Sequence, residues 1–174
     1  MKNSTIYLDS HASTPVDQDV LTSMLPYFTE YYGNGNHKAG WKTNSALETA
    51  RIQVSGLIKA RPTEIIFTSG ATEAINMALF GVAKMNNSKK KHIISQKTEH
   101  VAVLECLEQL EKQGYEITLL EVDAVGRIDL NTLKNAIRET TLLVAIMLAN
   151  NEIGTVQPIE EIGKICNLNK VKFF

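Results

Sequence analysis

The segment Glu64-Ile-Ile-Phe-Thr-Ser-Gly-Ala-Thr-Glu-Ala-Ile-Asn76 restricts the fold more than any other part of this chain. Ile65, Ile66 and Phe67 are consecutive bulky apolar residues, the pattern of a strand buried on both faces. Ser69-Gly70 breaks the run, and Ile75, Ala78, Leu79 and Val82 then recur at helical spacing, which predicts a helix from Ala71. A helix that begins directly after a small-residue turn leaves backbone N–H groups unpaired at its positive end. With the hydroxyls of Ser69 and Thr72 as further donors, such a turn suits a phosphate. Glu73 is a poor neighbour for an anion, however. Read alone, the segment is better explained as a plain strand–helix connection.

Two further segments alter that balance. Lys97-Thr-Glu-His100 follows the strand-like Lys91–Ser95 and opens a helix at Val101. Asn150-Asn-Glu-Ile-Gly154 follows the apolar run Leu142–Leu148. Each places polar residues just beyond the carboxyl end of a strand, the edge at which open parallel sheets bind ligands. Three strand ends therefore offer a phosphate cup, an imidazole and an amide pair to one crevice.

The other elements fit the same frame. A short strand is predicted at Ile6–Leu8, and Pro15 and Asp17 introduce a helix with Val20, Leu21, Met24 and Leu25 on one side. Gly33–Asn36 reads as a loop, and a helix over 44–57 turns Leu47, Ala50, Val54 and Leu57 inward. Leu104, Leu107 and Leu110 mark a helix that stops at Gly114. A strand at Glu116–Leu120, a turn at Ala124–Arg127, a helix from Leu130 to Arg138 capped by Asp129 and a helix from Ile159 to Cys166 complete the order. Strands alternating with helices predict a parallel α/β sheet in a single domain, with no repeat or linker.

Composition excludes more than it assigns. A formal net charge of −1 gives no ground for nucleic acid or an anionic membrane. No apolar run approaches the ~20 residues needed to span a bilayer. The amino terminus lacks a signal-peptide core, so a cytoplasmic location is the default. Lys89-Lys-Lys91 reads as a solvated loop. Cys106 and Cys166 fall in helix-patterned segments without metal-ligand spacing, so they read as small buried hydrophobes and no metal site is expected. His11 lacks a metal-ligand partner nearby, and Gly33-Asn-Gly-Asn36 lacks the glycine spacing of a dinucleotide fingerprint.

Tyr7-Leu-Asp-Ser-His-Ala-Ser-Thr-Pro15, Thr68-Ser-Gly-Ala-Thr-Glu-Ala74, Thr98-Glu-His-Val-Ala-Val-Leu104 and Asn150-Asn-Glu-Ile-Gly-Thr-Val-Gln157 stand together in one order. In these motifs the chain resembles the amino-terminal portion of the cysteine desulfurases, the NifS/IscS-like members of the class-V aminotransferase family. The resemblance implies a three-layer α/β fold with a mostly parallel sheet, an incomplete large domain of the fold-type I pyridoxal-phosphate enzymes, with residues 1–60 as its amino-terminal helical segment. It implies an enzyme that takes sulfur from L-cysteine, giving L-alanine and an enzyme persulfide for iron–sulfur cluster assembly or tRNA thiolation. The cofactor implied is pyridoxal 5'-phosphate, and the partners are a second copy of the enzyme and an iron–sulfur scaffold protein. Ala71 and Thr72 match the residues that hold the cofactor phosphate, and His100 the histidine that stacks on the pyridine ring and can move protons. Asn151 matches the amide that donates to the phenolic oxygen, while Asn150 caps the turn. Glu152 is either an orienting carboxylate or a solvated one.

The resemblance spans this whole chain but less than half of a family chain. Family members continue into an Asp that pairs with the pyridine nitrogen, a Lys that anchors the cofactor and a Cys that accepts sulfur. His37-Lys38 precedes the phosphate cup, whereas the family's His-Lys pair follows it, so it is not that anchor. The loop Gly33-Asn-Gly-Asn-His37 is also shorter than the family's and lacks its Pro, which puts substrate binding in doubt. The expectation is a truncated desulfurase, inactive alone, in which the strand at 65–68 lacks a sheet partner and 142–148 exposes one unpaired edge. Two alternatives remain open: a non-catalytic interaction module that docks with an intact desulfurase or a complementary fragment, and a nucleotide-binding α/β protein.

Overall fold

A computed structural model describes residues 6–174, and their contacts separate a unit ending at Phe67 from one running from Thr68 to Phe174. The first unit carries three helices: α1 (Gln18–Met24), α2 (Pro26–Thr29) and α3 (Trp41–Ile58). Asp17 starts α1 as expected, its carboxylate accepting from the N–H groups of Asp19 and Val20 at 2.9 and 3.3 Å. The expected inward face of α3 is not found. Leu47, Val54 and Leu57 are exposed, and among the unit's described residues only Gly40, Ser55 and Ile65 are buried. Amphipathic spacing identifies the apolar stripe but cannot supply the layer that would cover it.

Two expected strands in this unit are corrected. Residues 6–8 pair with nothing and are exposed. Residues 65–67 join no ladder, as expected of a segment without its sheet partner, but they are not buried on both faces: Ile65 is buried, while Ile66 and Phe67 are 65% and 45% exposed. The Arg51 guanidinium holds this segment instead, donating to the Ile65 carbonyl and lying 5.1 Å from the Phe67 ring centroid. The local β-pattern is real, but a strand needs partners, and no described strand pairs with this one.

In the second unit two adjacent isoleucines explain the layering, because neighbouring strand residues point to opposite faces. They lie in β1 (His92–Gln96), which pairs in parallel with β2 (Glu116–Leu120) on one side and β3 (Thr141–Val144) on the other. A two-residue strand, β4 (Lys172–Phe173), follows β3, giving the order β2-β1-β3-β4. Ile93 packs with Leu79, Val103, Leu107, Leu110 and Leu143. That face is covered by α4 (Ala71–Lys84) and α5 (Val101–Lys112). Ile94 packs on the opposite face with Leu133, Val144, Ile162 and Ile165, from β3, α6 (Leu130–Ala136) and α7 (Ile159–Leu168). Helices on both faces of a parallel sheet make the three-layer α/β fold.

The helix from 130 ends at Ala136 rather than Arg138. The run 142–148 also divides differently from expectation. Its ladder ends at Val144, and its far edge is paired: Leu143 and Val144 face Lys172 and Phe173, and the Ile146 N–H reaches the Phe174 carbonyl at 3.0 Å. The last residues of the chain thus close an edge that was expected to stay open. Beneath β1, His92 is buried between Thr141 Oγ1 at 2.9 Å and Thr118 Oγ1 at 2.8 Å. Burial, aided by Arg138, holds its pKa below the usual histidine value, so this imidazole is a neutral strap between strands.

Ile94→Val should lower the unfolding free energy by about 0.5–1.5 kcal/mol, the usual cost of one buried methylene. Ile66→Val, at an exposed position, should leave it unchanged; urea denaturation compares the two.

Candidate functional site

The start of α4 has the features of an anion cup. Gly70 is its N-cap, and no side chain caps the first turn, in which Ala71 and Thr72 lie. Glu73 turns away from that opening, accepting from the Ser69 N–H and hydroxyl, each at 2.6 Å. The Ser69 hydroxyl and then its N–H hold the Glu73 carboxyl below the usual range. Ser69 is therefore committed to Glu73, which corrects its expected role as a donor to phosphate. The first-turn N–H groups and the Thr72 hydroxyl remain.

His100 is the N-cap of α5, with Nδ1 accepting from the Ala102 N–H at 3.1 Å. An accepting Nδ1 leaves the proton of the neutral ring on Nε2. This cap is compatible with cofactor stacking: it fixes one ring edge while the side chain stays exposed. Thr72 and Ala102 line the same cavity of about 320 Å³ between α4 and α5, which continues past Asn76, Phe80, Glu105 and Glu108 and is not lined by His100.

The third strand end is tied to the second. Asn150 Nδ2 donates to the Thr98 carbonyl at 2.8 Å, and Asn150 Oδ1 accepts from the N–H groups of Glu152 and Ile153 at 2.8 and 3.0 Å. Asn150 is the turn cap expected of it. Asn151 is exposed, with its amide 3.3 Å from Glu152 Oε1.

Buried polar side chains underlie these loops, and sequence reasoning missed them. Glu99, only 8% exposed, accepts from the Met147 N–H at 2.7 Å. Gln157 donates to Gln96 Oε1 at 3.0 Å and to the Gly126 carbonyl at 2.7 Å, and accepts from the Ile128 N–H. Gly126 itself takes a positive φ of 82°, which the turn there requires. Among the described residues Thr98 Oγ1 is buried without a hydrogen-bond partner. The available signal was that Glu99 and Gln157 both lie inside the motifs that flank the strand ends. Among the described residues no acidic, His or Cys cluster could hold a metal, and no helix is long and apolar enough to cross a membrane.

The class-V aminotransferase family matches residues 6–174, and the chain belongs to it. Within that family its relatives are cysteine desulfurases. It is 53% identical over 171 residues to the mitochondrial cysteine desulfurase of Saccharomyces cerevisiae, covering 97% of this chain and 34% of that protein. It is 50% identical to cysteine desulfurase IscS of Neisseria meningitidis, covering 42% of that protein. A solved NifS-like protein superposes with a TM-score of 0.91 at 40% identity, over 96% of this chain and 47% of that one. A structure described as SspA in complex with cysteine gives 0.92 at 38% identity, over 97% of this chain and 49% of that one. The chain therefore spans well under two thirds of the length of the relatives it matches.

Class-V aminotransferases and cysteine desulfurases depend on pyridoxal phosphate. The residues present fit that group. An uncapped helix start and the Thr72 hydroxyl suit its phosphate, the exposed His100 ring offers a flat face, and Asn151 offers an exposed amide donor.

Burial raises the Glu99 pKa above its ordinary 4.5, opposed by the Met147 N–H. Since the folded value is the higher one, its contribution to stability is full below about 4.5 and is lost as pH rises through the folded value. Glu99→Gln keeps the acceptor oxygen and removes the charge. The stability of the native chain relative to this variant should fall as pH rises from about 4.5 toward neutrality. Urea midpoints across that range measure it, and a pH-independent difference would contradict it.

Proposed function

We propose that this chain is the amino-terminal part of the pyridoxal-phosphate-binding domain of a cysteine desulfurase, an enzyme that converts L-cysteine to L-alanine and a protein persulfide for iron–sulfur cluster assembly or tRNA thiolation. Both units are read as pieces of one domain, with residues 1–60 as its amino-terminal helical segment. The whole enzyme would act as a homodimer in the cytoplasm and pass sulfur to an iron–sulfur scaffold or a tRNA-modifying partner. The observation that carries this reading is the uncapped start of α4 at Ala71 and Thr72 together with an exposed histidine, fixed at one ring edge, at the start of α5, which packs against α4.

When bound, pyridoxal phosphate supplies an electron sink for bond breaking at the amino-acid Cα. Ala71 and Thr72 hold its phosphate through helix N–H groups and a hydroxyl, so much of the charge is met by oriented backbone dipoles. His100 packs against the ring, and its Nε2 is the atom left to give or take a proton. Asn151 donates its amide to the phenolic oxygen.

The two thiols within these 174 residues are unsuited to sulfur transfer. Cys106 and Cys166 are 3% and 1% exposed, burial raises both pKa values, and that of Cys166 is pushed up to about 11. Neither presents a thiolate at neutral pH. The 174-residue chain, supplied with pyridoxal phosphate and L-cysteine, is therefore expected to release no alanine; turnover abolished by His100→Ala would overturn this.

Binding is tested with pyridoxamine phosphate, which has no aldehyde and cannot label surface lysines. Calorimetry should find one saturable site. Thr72→Val and His100→Ala should each weaken it about threefold to tenfold, and His100→Phe should restore most of the loss by keeping a flat ring. Affinity indifferent to all three variants would reject the assignment.

A further inference from the structure

The loops that carry His100 and Asn151 leave different strands, β1 and β3, so nothing in their local sequence fixes the distance between them. Two hydrogen bonds cross the gap. Asn150 Nδ2 reaches the Thr98 carbonyl at 2.8 Å, and the Glu99 carboxylate accepts the Met147 N–H at 2.7 Å. We infer that Glu99 is a positioning residue, a buried clamp that holds the Asn151 loop in register with His100.

Three observations converge on it. Glu99 immediately precedes the N-cap histidine, and the Glu99 N–H turns back to the Gln96 carbonyl, so its backbone is part of the turn that aims the imidazole. Met147 directly follows Ile146, whose N–H makes the last sheet-like bond on this run, to the Phe174 carbonyl at 3.0 Å. The carboxylate is 8% exposed, and no ion pair to it is formed among the described residues. The carboxylate meets the Gln96 side chain as well as the Met147 N–H; burying it is a costly way to stabilise a fold, since an amide would accept the same bonds without the charge. Its value lies in placing an acceptor oxygen where the sheet stops guiding the second loop, at a reach that glutamine shares and aspartate lacks. Side chains that touch a ligand need such support to keep their spacing.

The inference rests on the proposed cofactor site, and two readouts separate them. Glu99→Ala removes the acceptor. Glu99→Asp retains the charge but withdraws it by one methylene. Glu99→Gln restores an oxygen at the original reach. The account expects Ala and Asp to weaken pyridoxamine phosphate about tenfold and Gln to stay within about threefold of the native chain. Amide hydrogen exchange at Met147 should accelerate in Ala and Asp but not in Gln, while Ile94 keeps its protection in all three. Should the native chain fail to bind pyridoxamine phosphate, the functional proposal falls, and exchange at Met147 alone decides the clamp. Should Ala not fold, Asp carries the test. Native-like exchange at Met147 in Asp, or a Gln variant as impaired as Asp, would overturn the inference.

Discussion

β1 lies between β2 and β3 with all five of its residues buried, and the geometry of the second unit depends on that double pairing. A parallel strand hydrogen-bonded on both sides cannot shift by one residue without exchanging Ile93 and Ile94 between faces, which would misplace both core clusters. The register also sets where each strand ends. Because β1 and β3 run parallel, Thr98–His100 and Asn150–Asn151 emerge on the same side. Helix α4, packed against α5, brings Thr72 to the cavity that Ala102 also lines. The site is a consequence of strand direction before it is a consequence of side chains.

Polar burial then refines what the ladder begins. Gln96, Glu99 and Gln157 are all below one tenth exposed, and each links backbone or side chains from separate elements. Such groups are expensive to desolvate and contribute little net stability. They are better understood as fixing geometry where regular pairing has stopped. Ser95 does the same within the sheet, donating to the Ala145 carbonyl at 2.8 Å.

Much of the second unit was legible in the sequence because its signals are local. The start of α4 at Ala71, the stop of α5 before Gly114, the strand at 116–120 and the Asp129 cap depend on residues within one turn of themselves. Ile65–Phe67 was misread as buried on both faces for the opposite reason: its β-pattern is local, but burial depends on layers supplied elsewhere in the fold. The closed edge beside β3 depended on Lys172 and Phe173, too short a segment to show periodicity. Of the site, His100 and Asn151 could be singled out by type and position at strand ends. Glu99 could not, since a glutamate beside a helix start ordinarily reads as solvated, and only the approach of Met147 makes it a buried acceptor.

The central claim is that the start of α4 and the loops after β1 and β3 form one binding surface for a phosphorylated pyridine. Titrating 15N-labelled chain with pyridoxamine phosphate and following each backbone amide tests it directly. The account predicts that the amides of Ala71, Thr72, Ala102 and Asn151 shift together along a single binding curve. Shifts confined to the Lys89–Lys91 loop, or separate curves for the α4 start and the Asn151 loop, would contradict it.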